Sequence, residues 1–461
     1  FSIGNRPRTF KKSTFSTGNR PRTFKKSSSL RQPKNIFYII AGNLKVYQLH
    51  VIPEQVENFN YLLSRLKTIL KLSDKRVEQI KKKKQQLKPW ESLIISENLS
   101  WDQFLVINNY LYELIGVKPV MTISRNYPFD EIYTHVLGYV SQPNENDLLS
   151  NDVIKEKFVP GIKVGKLGLE KTFENDLIGI NDIQRYEVNA YGKRINQLDY
   201  QKGAQGSKIR ITLDTDVQKL SAELLKNKAG SISVMDIFTG EIIAMYSSPS
   251  YNPNSFLFGI SQDEWQLIRN NPLKPLINKT LSGLYSPGST IKPIVALSAL
   301  ENGIMDTNFK VQCKGKMELH GQTFHCWKEK GHGWMSLNNA MKQSCDTYFY
   351  EVARLLGVDR LKVTADKFGL GKKVLGDYFD YEKSGLFPNT KWKKNNLGKG
   401  WVLGETLITG IGQGYTQTTP LQLCLMTAQI ANGGYSIKPR IVVNNNPMSL
   451  EEAKSKLQEE T

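Results

Sequence analysis

The stretch Tyr285-Ser-Pro-Gly-Ser-Thr-Ile-Lys-Pro293 places Ser289 three residues before Lys292. On a helix, positions i and i+3 lie on one face, so the lysine amine can reach the serine hydroxyl. Proline is tolerated only in the first turn of a helix, so Pro293 predicts a helix that begins close to Gly288 and Ser289. Ser289 is then at a helix N-terminus, where unpaired N–H groups favour a developing anion. The pattern predicts a serine nucleophile with a lysine base.

The chain contains one other S-x-x-K, from Ser64 to Lys67, in a lysine-rich helical stretch. It has neither the preceding glycine nor the following proline, so we interpret it as chance. The stretch around Ser289 is followed further along the chain by Ser344-Cys345-Asp346.

The two motifs resemble those of the transpeptidase domain of penicillin-binding proteins, where the first carries the acylated serine and its lysine and the second reads S-x-N. The aspartate at position 346 resembles the elongation-specific class B branch, penicillin-binding protein 2. The resemblance covers roughly residues 43–440. It extends to the stretches 136–140, 161–170, 185–192, 236–241, 411–414 and 419–422.

The resemblance implies an α+β protein with an N-terminal pedestal domain of mixed structure over residues 43–205. A serine β-lactamase-like transpeptidase domain then occupies residues 206–461. The residue pattern agrees, because strands followed by a run of helices favour an α+β domain after residue 206. We expect a hairpin of strands 231–235 and 241–247, and helices over 289–302, 336–344, 346–356 and 420–432.

The pedestal pattern is less regular. A strand is predicted from Val46 to Pro53, followed by a helical pattern over residues 54–90. A further helix is predicted from Trp101 to about residue 114, with Ser100 as its N-cap and Gly116 as its C-cap.

The resemblance also implies a mechanism. Ser289 attacks the penultimate D-Ala carbonyl of a stem peptide and forms an acyl-enzyme, with Lys292 as general base. Ser344 relays a proton to the leaving amine, and Asp346 orients Lys292 and the substrate amide. The N–H of Ser289 forms half of the oxyanion hole. Substrate is expected to contact the glycine-rich stretch Gly412, Gln413 and Gly414.

The expected activity is peptidoglycan D,D-transpeptidation during cell elongation, with no cofactor required for catalysis. Expected partners are stem peptides, β-lactams, a glycan-strand polymerase and other membrane proteins of the elongation complex. The family places such an enzyme at the inner membrane with its catalytic domain in the periplasm. The alternatives are a catalytically inactive scaffold of the elongation machinery and a β-lactam sensor or β-lactamase.

A cluster of cysteine and histidine precedes and overlaps the second motif. Cys313, Cys326 and His332 have a spacing that can hold a tetrahedral structural zinc, with Cys345 or His325 as the fourth ligand. A disulfide between Cys313 and Cys326 is an alternative in an oxidising compartment. The third interpretation is buried cysteines beside histidines that line the active-site surface.

The chain has 461 residues with 62 Lys+Arg against 43 Asp+Glu, a formal charge of +19. Residues 1–34 contain ten of these basic residues, no acid, and two copies of a repeat, F-S-x-G-N-R-P-R-T-F-K-K-S. Such a tract could bind nucleic acid or an anionic membrane. We interpret residues 1–42 as an extension unrelated to the fold, so no nucleic-acid partner is expected.

Two family features do not occur in the sequence. No K-T-G triplet is present after residue 414, and the membrane anchor and R-G-x-I-x-D-R segment expected before Val46 are absent. We therefore expect a chain that is incomplete at both ends, with poor penicillin labelling of this stretch by itself.

Overall fold

The computed structural model describes residues 2–5, 36–89, 91–158, 161–180, 182–188 and 194–443. The chain divides into two compact units. The first contains the described residues within 39–208 and 252–267, and the second contains the described residues within 2–38, 209–251 and 268–443. The domain boundary predicted from the sequence lies between residues 205 and 206, and the prediction did not place residues 252–267 in the first unit. Most of the basic repeat lies outside the described residues.

Strands and helices alternate irregularly along the chain. The strands are β1 Ser2–Asn5, β2 Ile36–Ile39, β3 Gly42–Val51, β4 Leu93–Leu99, β5 Val117–Asn126, β6 Val140–Ser141, β7 Val164–Gly165, β8 Ile183–Val188, β9 Arg194–Gln201, β10 Arg210–Ile211, β11 Gly230–Met235, β12 Ile242–Ser248, β13 Lys310–Cys313, β14 Lys316–Leu319, β15 Gln322–His325 and β16 Gly333–Ser336.

The helices are mostly short. They are α1 Phe59–Leu70, α2 Asp74–Gln86, α3 Trp101–Asn109, α4 Thr134–Leu137, α5 Glu145–Ser150, α6 Asp152–Glu156, α7 Gly168–Thr172, α8 Glu174–Leu177, α9 Thr215–Leu224, α10 Gln262–Asn270, α11 Lys279–Ser282, α12 Lys292–Glu301, α13 Leu337–Lys342, α14 Asp346–Leu356, α15 Val358–Lys367, α16 Thr390–Leu397, α17 Leu403–Gly410 and α18 Pro420–Ala431. Among the described residues, none of these helices combines the length and the apolar character that crossing a bilayer requires.

The first unit is built on an antiparallel sheet with β3 between β4 and β5. The helix α1 buries Leu62, Leu63 and Leu66 against this sheet, and their spacing of one and three residues gives the helix one apolar face. The strand predicted at residues 46–53 is confirmed over 46–51 as the second half of β3, which ends before the 3₁₀ turn Pro53–Gln55. The sheet and its helices account for the mixed structure expected of the pedestal.

Two details of the pedestal differ from the sequence prediction. The helical pattern over 54–90 contains two helices, because Lys71 takes a left-handed conformation and Ser73 caps α2 by accepting a hydrogen bond from the Arg76 N–H. Ser100 caps α3 in a capping box, as predicted. The helix ends at Asn109, however, so the prediction of Gly116 as its C-cap was wrong.

The second unit combines the β11–β12 hairpin, at the predicted position, with a helical core around α14. The core helix α14 buries Phe349, Val352 and Ala353. At Gly410, a Cβ would lie 2.5 Å from the Cβ of Ala353, so α17 approaches α14 closely. The predicted helices at 336–344, 346–356 and 420–432 are all present, and the helix predicted at 289–302 is confirmed as α12 with a preceding 3₁₀ turn.

Candidate active site

Ser289 is exposed in a 3₁₀ turn, Gly288–Ile291, that leads directly into α12. Pro293 is in the first turn of α12, where its missing N–H costs nothing. The proline therefore fixed the start of the helix as predicted. Of the N–H groups in this turn, that of Gly288 donates to the Gly412 carbonyl and that of Lys292 to the Ser289 carbonyl.

Lys292 is the first residue of α12 and is 1% exposed. Its Nζ donates to the carbonyl of Ser344 at 2.9 Å, to Ser344 Oγ at 3.0 Å and to Asp346 Oδ1 at 2.7 Å. Burial of an ammonium group is tolerated only with such complete pairing. Among the described residues, the hydrogen-bond partners of Nζ belong to the second motif and do not include Ser289.

The second motif lies at the junction of α13 and α14. Asp346 is the first residue of α14, and Ser344 takes a left-handed conformation with φ of +50°. For a residue other than glycine this conformation is strained and persists only where its surroundings impose it. The left-handed turn lets both the carbonyl and the hydroxyl of Ser344 face the amine of Lys292.

Asp346 has a second partner that the sequence analysis missed. Its Oδ2 accepts a hydrogen bond from the backbone N–H of Trp327 at 3.0 Å. The indole N–H of Trp327 donates to the carbonyl of Gln343, also at 3.0 Å. A backbone donor from a distant loop has no sequence signature, so no pattern could have pointed to it.

A cavity of about 590 Å³ opens beside these groups. It is lined by Ser289, His325, Cys326, Trp327, Ser344, Asp346, Tyr350, Ile411 and Gln413. Three of the four residues predicted to be catalytic thus face one space, with the fourth, Lys292, buried beneath it. Tyr350 is four residues after Asp346 on α14, a helical spacing that could have identified it from sequence.

The three residues of the glycine-rich stretch, 412–414, have different surroundings. Gln413 lines the cavity, as expected for a substrate-binding residue. Gly412, with φ of +73°, instead packs behind the Ser289 turn, where an added Cβ would lie 2.2 Å from the carbonyl oxygen of Gly288. Gly414 faces the side chain of Ile408. Substrate contact by the two glycines stays a prediction.

The Cys/His cluster brings together Cys313, Cys326, His332 and Cys345, with one donor atom of each lying within 4.8 Å of the others. His332 Nδ1 is 3.5 Å from the sulfur of Cys313 and 3.6 Å from that of Cys326. All the cysteines are free thiols in the structure. His325, the alternative fourth ligand, instead lines the cavity.

The donor set fits a tetrahedral zinc ion. Bonds of about 2.3 Å to sulfur and about 2.05 Å to nitrogen, at a tetrahedral angle, separate S and N by about 3.6 Å. The two S–N distances at His332 have this length. Burial raises the pKa of the Cys313 thiol, but its hydrogen bonds with Thr347, Gly315 and His332 outweigh this effect and lower the pKa to about 6. Burial raises the pKa of Cys345.

Comparison with known proteins identifies the family. Residues 230–459 match the penicillin binding protein transpeptidase domain, and residues 38–211 match the penicillin-binding protein dimerisation domain. The crystal structure of Pseudomonas aeruginosa PBP2 in complex with WCK 5153 is 36% identical, with a TM-score of 0.62 over 71% of this chain and 70% of that one. The chain belongs to the penicillin-binding protein family.

Other members of the family are similar over most of the chain. Peptidoglycan D,D-transpeptidase MrdA of Escherichia coli K12 is 34% identical over 411 residues, which are 88% of this chain and 64% of that protein. The corresponding MrdA of Acinetobacter baumannii is 34% identical over 88% of this chain and 60% of its own length. The chain thus spans less than two thirds of these relatives.

A second solved structure extends the comparison. PBP2 from Helicobacter pylori, in a complex with MreC, is 29% identical, with a TM-score of 0.77 over 91% of this chain and 79% of that one. The two-domain α+β architecture predicted from sequence is therefore confirmed as that of a penicillin-binding protein.

Proposed function

We propose that the protein is a peptidoglycan D,D-transpeptidase that cross-links stem peptides through an acyl-enzyme on Ser289. The observation that carries the proposal is the buried amine of Lys292, held by Ser344 and Asp346 beneath the cavity that Ser289 lines. An exposed serine three residues before a buried lysine is the residue pair that a lysine-activated serine nucleophile requires. The names of the relatives MrdA point to the same reaction.

In this mechanism, Ser289 Oγ attacks the penultimate D-Ala carbonyl while its proton passes to Nζ of Lys292, which accepts it as the neutral amine. The new acyl–oxygen bond replaces the peptide C–N bond, and terminal D-Ala leaves as the amine. Ser344 Oγ, 3.0 Å from Lys292 Nζ, passes the proton on to that amine. Attack by the amine of a second stem peptide then releases Ser289 and forms the cross-link. The N–H of Ser289 faces the carbonyl oxygen as it gains negative charge.

Labelling with a fluorescent penicillin tests the proposal, because a β-lactam acylates the same serine. We expect the protein expressed from its full reading frame to form a covalent adduct that Ser289→Ala abolishes. Ser64→Ala is the matched control, since it changes the serine of the other S-x-x-K, and it should label as the wild type does. An adduct that survives Ser289→Ala, or no adduct at all, defeats the assignment and favours a scaffold.

We further propose that the protein acts in cell elongation at the periplasmic face of the inner membrane, with a glycan-strand polymerase as partner. The complex of H. pylori PBP2 with MreC supports an MreC-like protein as a further partner. Co-purification of a tagged MreC-type protein with this protein tests the partner. Absence of binding in purified, correctly folded samples contradicts it.

We also propose a structural zinc ion held by Cys313, Cys326, His332 and Cys345. The separations of these donors, with Nδ1 of His332 facing the sulfurs of Cys313 and Cys326, support it. When bound, the ion supplies a cross-link between the strand β13, the segment 326–332 and the start of α14. Nothing in the acylation steps passes through it.

Elemental analysis tests the zinc proposal. We expect about one zinc per protein, lost in Cys326→Ser together with a lower melting temperature. Cys424→Ser is the matched control because Cys424 is outside the cluster, and it should keep its zinc. Folded protein grown with zinc that contains none contradicts the site.

A further inference from the structure

We propose that Trp327 is a positioning residue for acyl transfer. Its backbone N–H holds one oxygen of Asp346, and its indole fixes that N–H in place. The inference rests on the proposed function, because it assigns a role within the same reaction. It adds a residue that neither sequence motif contains.

The first observation is the way in which Asp346 is held. Lys292 Nζ donates to Oδ1 at 2.7 Å, and the N–H of Trp327 donates to Oδ2 at 3.0 Å. A carboxylate with a fixed donor on each oxygen cannot rotate about its Cβ–Cγ bond without breaking a hydrogen bond. The N–H of Trp327 therefore keeps Oδ1 directed at Lys292, and the amine stays within reach of Ser344 Oγ.

The second observation is what holds Trp327 itself. Its indole N–H donates to the carbonyl of Gln343, the residue before Ser344, so the bond joins the Trp327 loop to the second motif. On the other side, Cys326 is 4% exposed and donates its own N–H to the carbonyl of Gly315 at 2.9 Å. The residue is thus fixed from two directions.

Burial does not explain this placement. The Trp327 side chain is among the exposed large hydrophobic residues, at 64%, and it forms part of the cavity wall. An exposed indole gains little from the hydrophobic effect, so specific contacts order it: its hydrogen bond to Gln343 and its edge-on contact with the His332 ring, at 5.2 Å between centroids. The competing interpretation is a wall residue that only contacts substrate. The two interpretations differ in which kinetic constant depends on the indole N–H.

Trp327→Phe separates them, because phenylalanine keeps an aromatic wall and removes the N–H that binds Gln343. Trp334→Phe is the matched control. Trp334 is 65% exposed on β16, where it pairs with Gln312 of β13. For each protein, stopped-flow acylation by a fluorescent penicillin gives the dissociation constant of the first complex and the acylation rate constant.

We expect Trp327→Phe to lower the acylation rate constant about tenfold, because misplacing a catalytic group is costly even at small displacements. The dissociation constant should stay within about twofold, and Trp334→Phe should match the wild type in both. A wild-type acylation rate in Trp327→Phe overturns the inference. A change confined to the dissociation constant also overturns it and makes Trp327 a wall residue.

A crystal structure of Trp327→Phe gives a readout that does not depend on activity. We expect the residue 327 N–H and Asp346 Oδ2 to lose their hydrogen bond, and an unchanged bond contradicts the inference. Failure of the proposed function has a separate signature, namely a wild type that does not label or a Ser289→Ala variant that does. In that case the crystal structure still decides whether Trp327 positions Asp346.

Discussion

Replacing Asp346 by asparagine is expected to destabilise the fold and to stop acylation, although the two side chains have the same shape. The carboxylate accepts at both oxygens, from Lys292 Nζ and from the N–H of Trp327. The asparagine amide has one acceptor oxygen and one NH₂ donor. One of these two donors must then face the NH₂ group, which is also a donor.

The magnitude follows from these contacts. A hydrogen bond to a charged group contributes about 1.5–3 kcal/mol, and breaking a buried ion pair costs about 3–5 kcal/mol. The side chain of Asp346 is 14% exposed, so water offsets part of the loss. We therefore expect Asp346→Asn to cost about 3 kcal/mol. Asp366→Asn is the control, because its pair with Lys362 has side chains 28% and 24% exposed, and such a pair contributes about 0.2–1 kcal/mol.

Urea unfolding of the two variants gives these values, and a double-mutant cycle with Lys292→Met tests their origin. Once Lys292 no longer carries a charge, Asp346→Asn should cost about 1.5–3 kcal/mol less than in the wild type. The superfamily motif S-x-N supplies the opposite expectation, that asparagine is tolerated at this position. A cost no larger than that of Asp366→Asn, or no coupling to Lys292, refutes the reasoning from two occupied oxygens.

Two further predictions concern other parts of the fold. Gly412→Ala should reduce both stability and penicillin labelling, because the added Cβ would lie 2.2 Å from the Gly288 carbonyl oxygen. Gly398→Ala is the control: it has a similar φ but lies in open space, so it should cost only about 1 kcal/mol. Equal melting temperatures for the two variants contradict this prediction. Burial raises the pKa of Glu174 from 4.5 to about 7. Between these pH values the folded protein keeps a proton that the unfolded chain releases. The free energy of unfolding should therefore fall by about 3 kcal/mol as the pH rises from about 4.5 to 7. Glu174→Gln should remove that fall in calorimetry, and an unchanged pH dependence contradicts the assignment.

Local signals in the sequence predicted the elements that carry the catalytic motifs. Pro293 fixed the start of α12, and Ser100 capped α3 as its side chain indicated. Thr419 and Pro420 likewise mark the start of α18, where Thr419 forms a capping box with Gln422. Each of these signals acts within one helical turn, so it can be recognised in the sequence without knowledge of the tertiary structure.

The parts that sequence could not predict depend on contacts between distant segments. The spacing of cysteine and histidine left the fourth donor open between Cys345 and His325, because only the paths of β15 and α14 decide which one reaches His332. The N–H of Trp327 donates to Asp346, which is nineteen residues further along the chain. Any residue except proline could supply that donor, so its identity carries no signal.

The second motif joins catalysis and the thiol cluster within three consecutive residues. Ser344 and Asp346 bind Lys292, while Cys345 between them belongs to the cluster. A substitution of Cys345 therefore disturbs both, and a loss of labelling there does not distinguish a metal effect from a catalytic one. Cys313 is on β13, outside the motif. Its sulfur lies 3.4 Å from the hydroxyl oxygen of Thr347, the residue that follows Asp346. A variant at Cys313 thus separates the two effects more cleanly, because the partners of Lys292 stay in place.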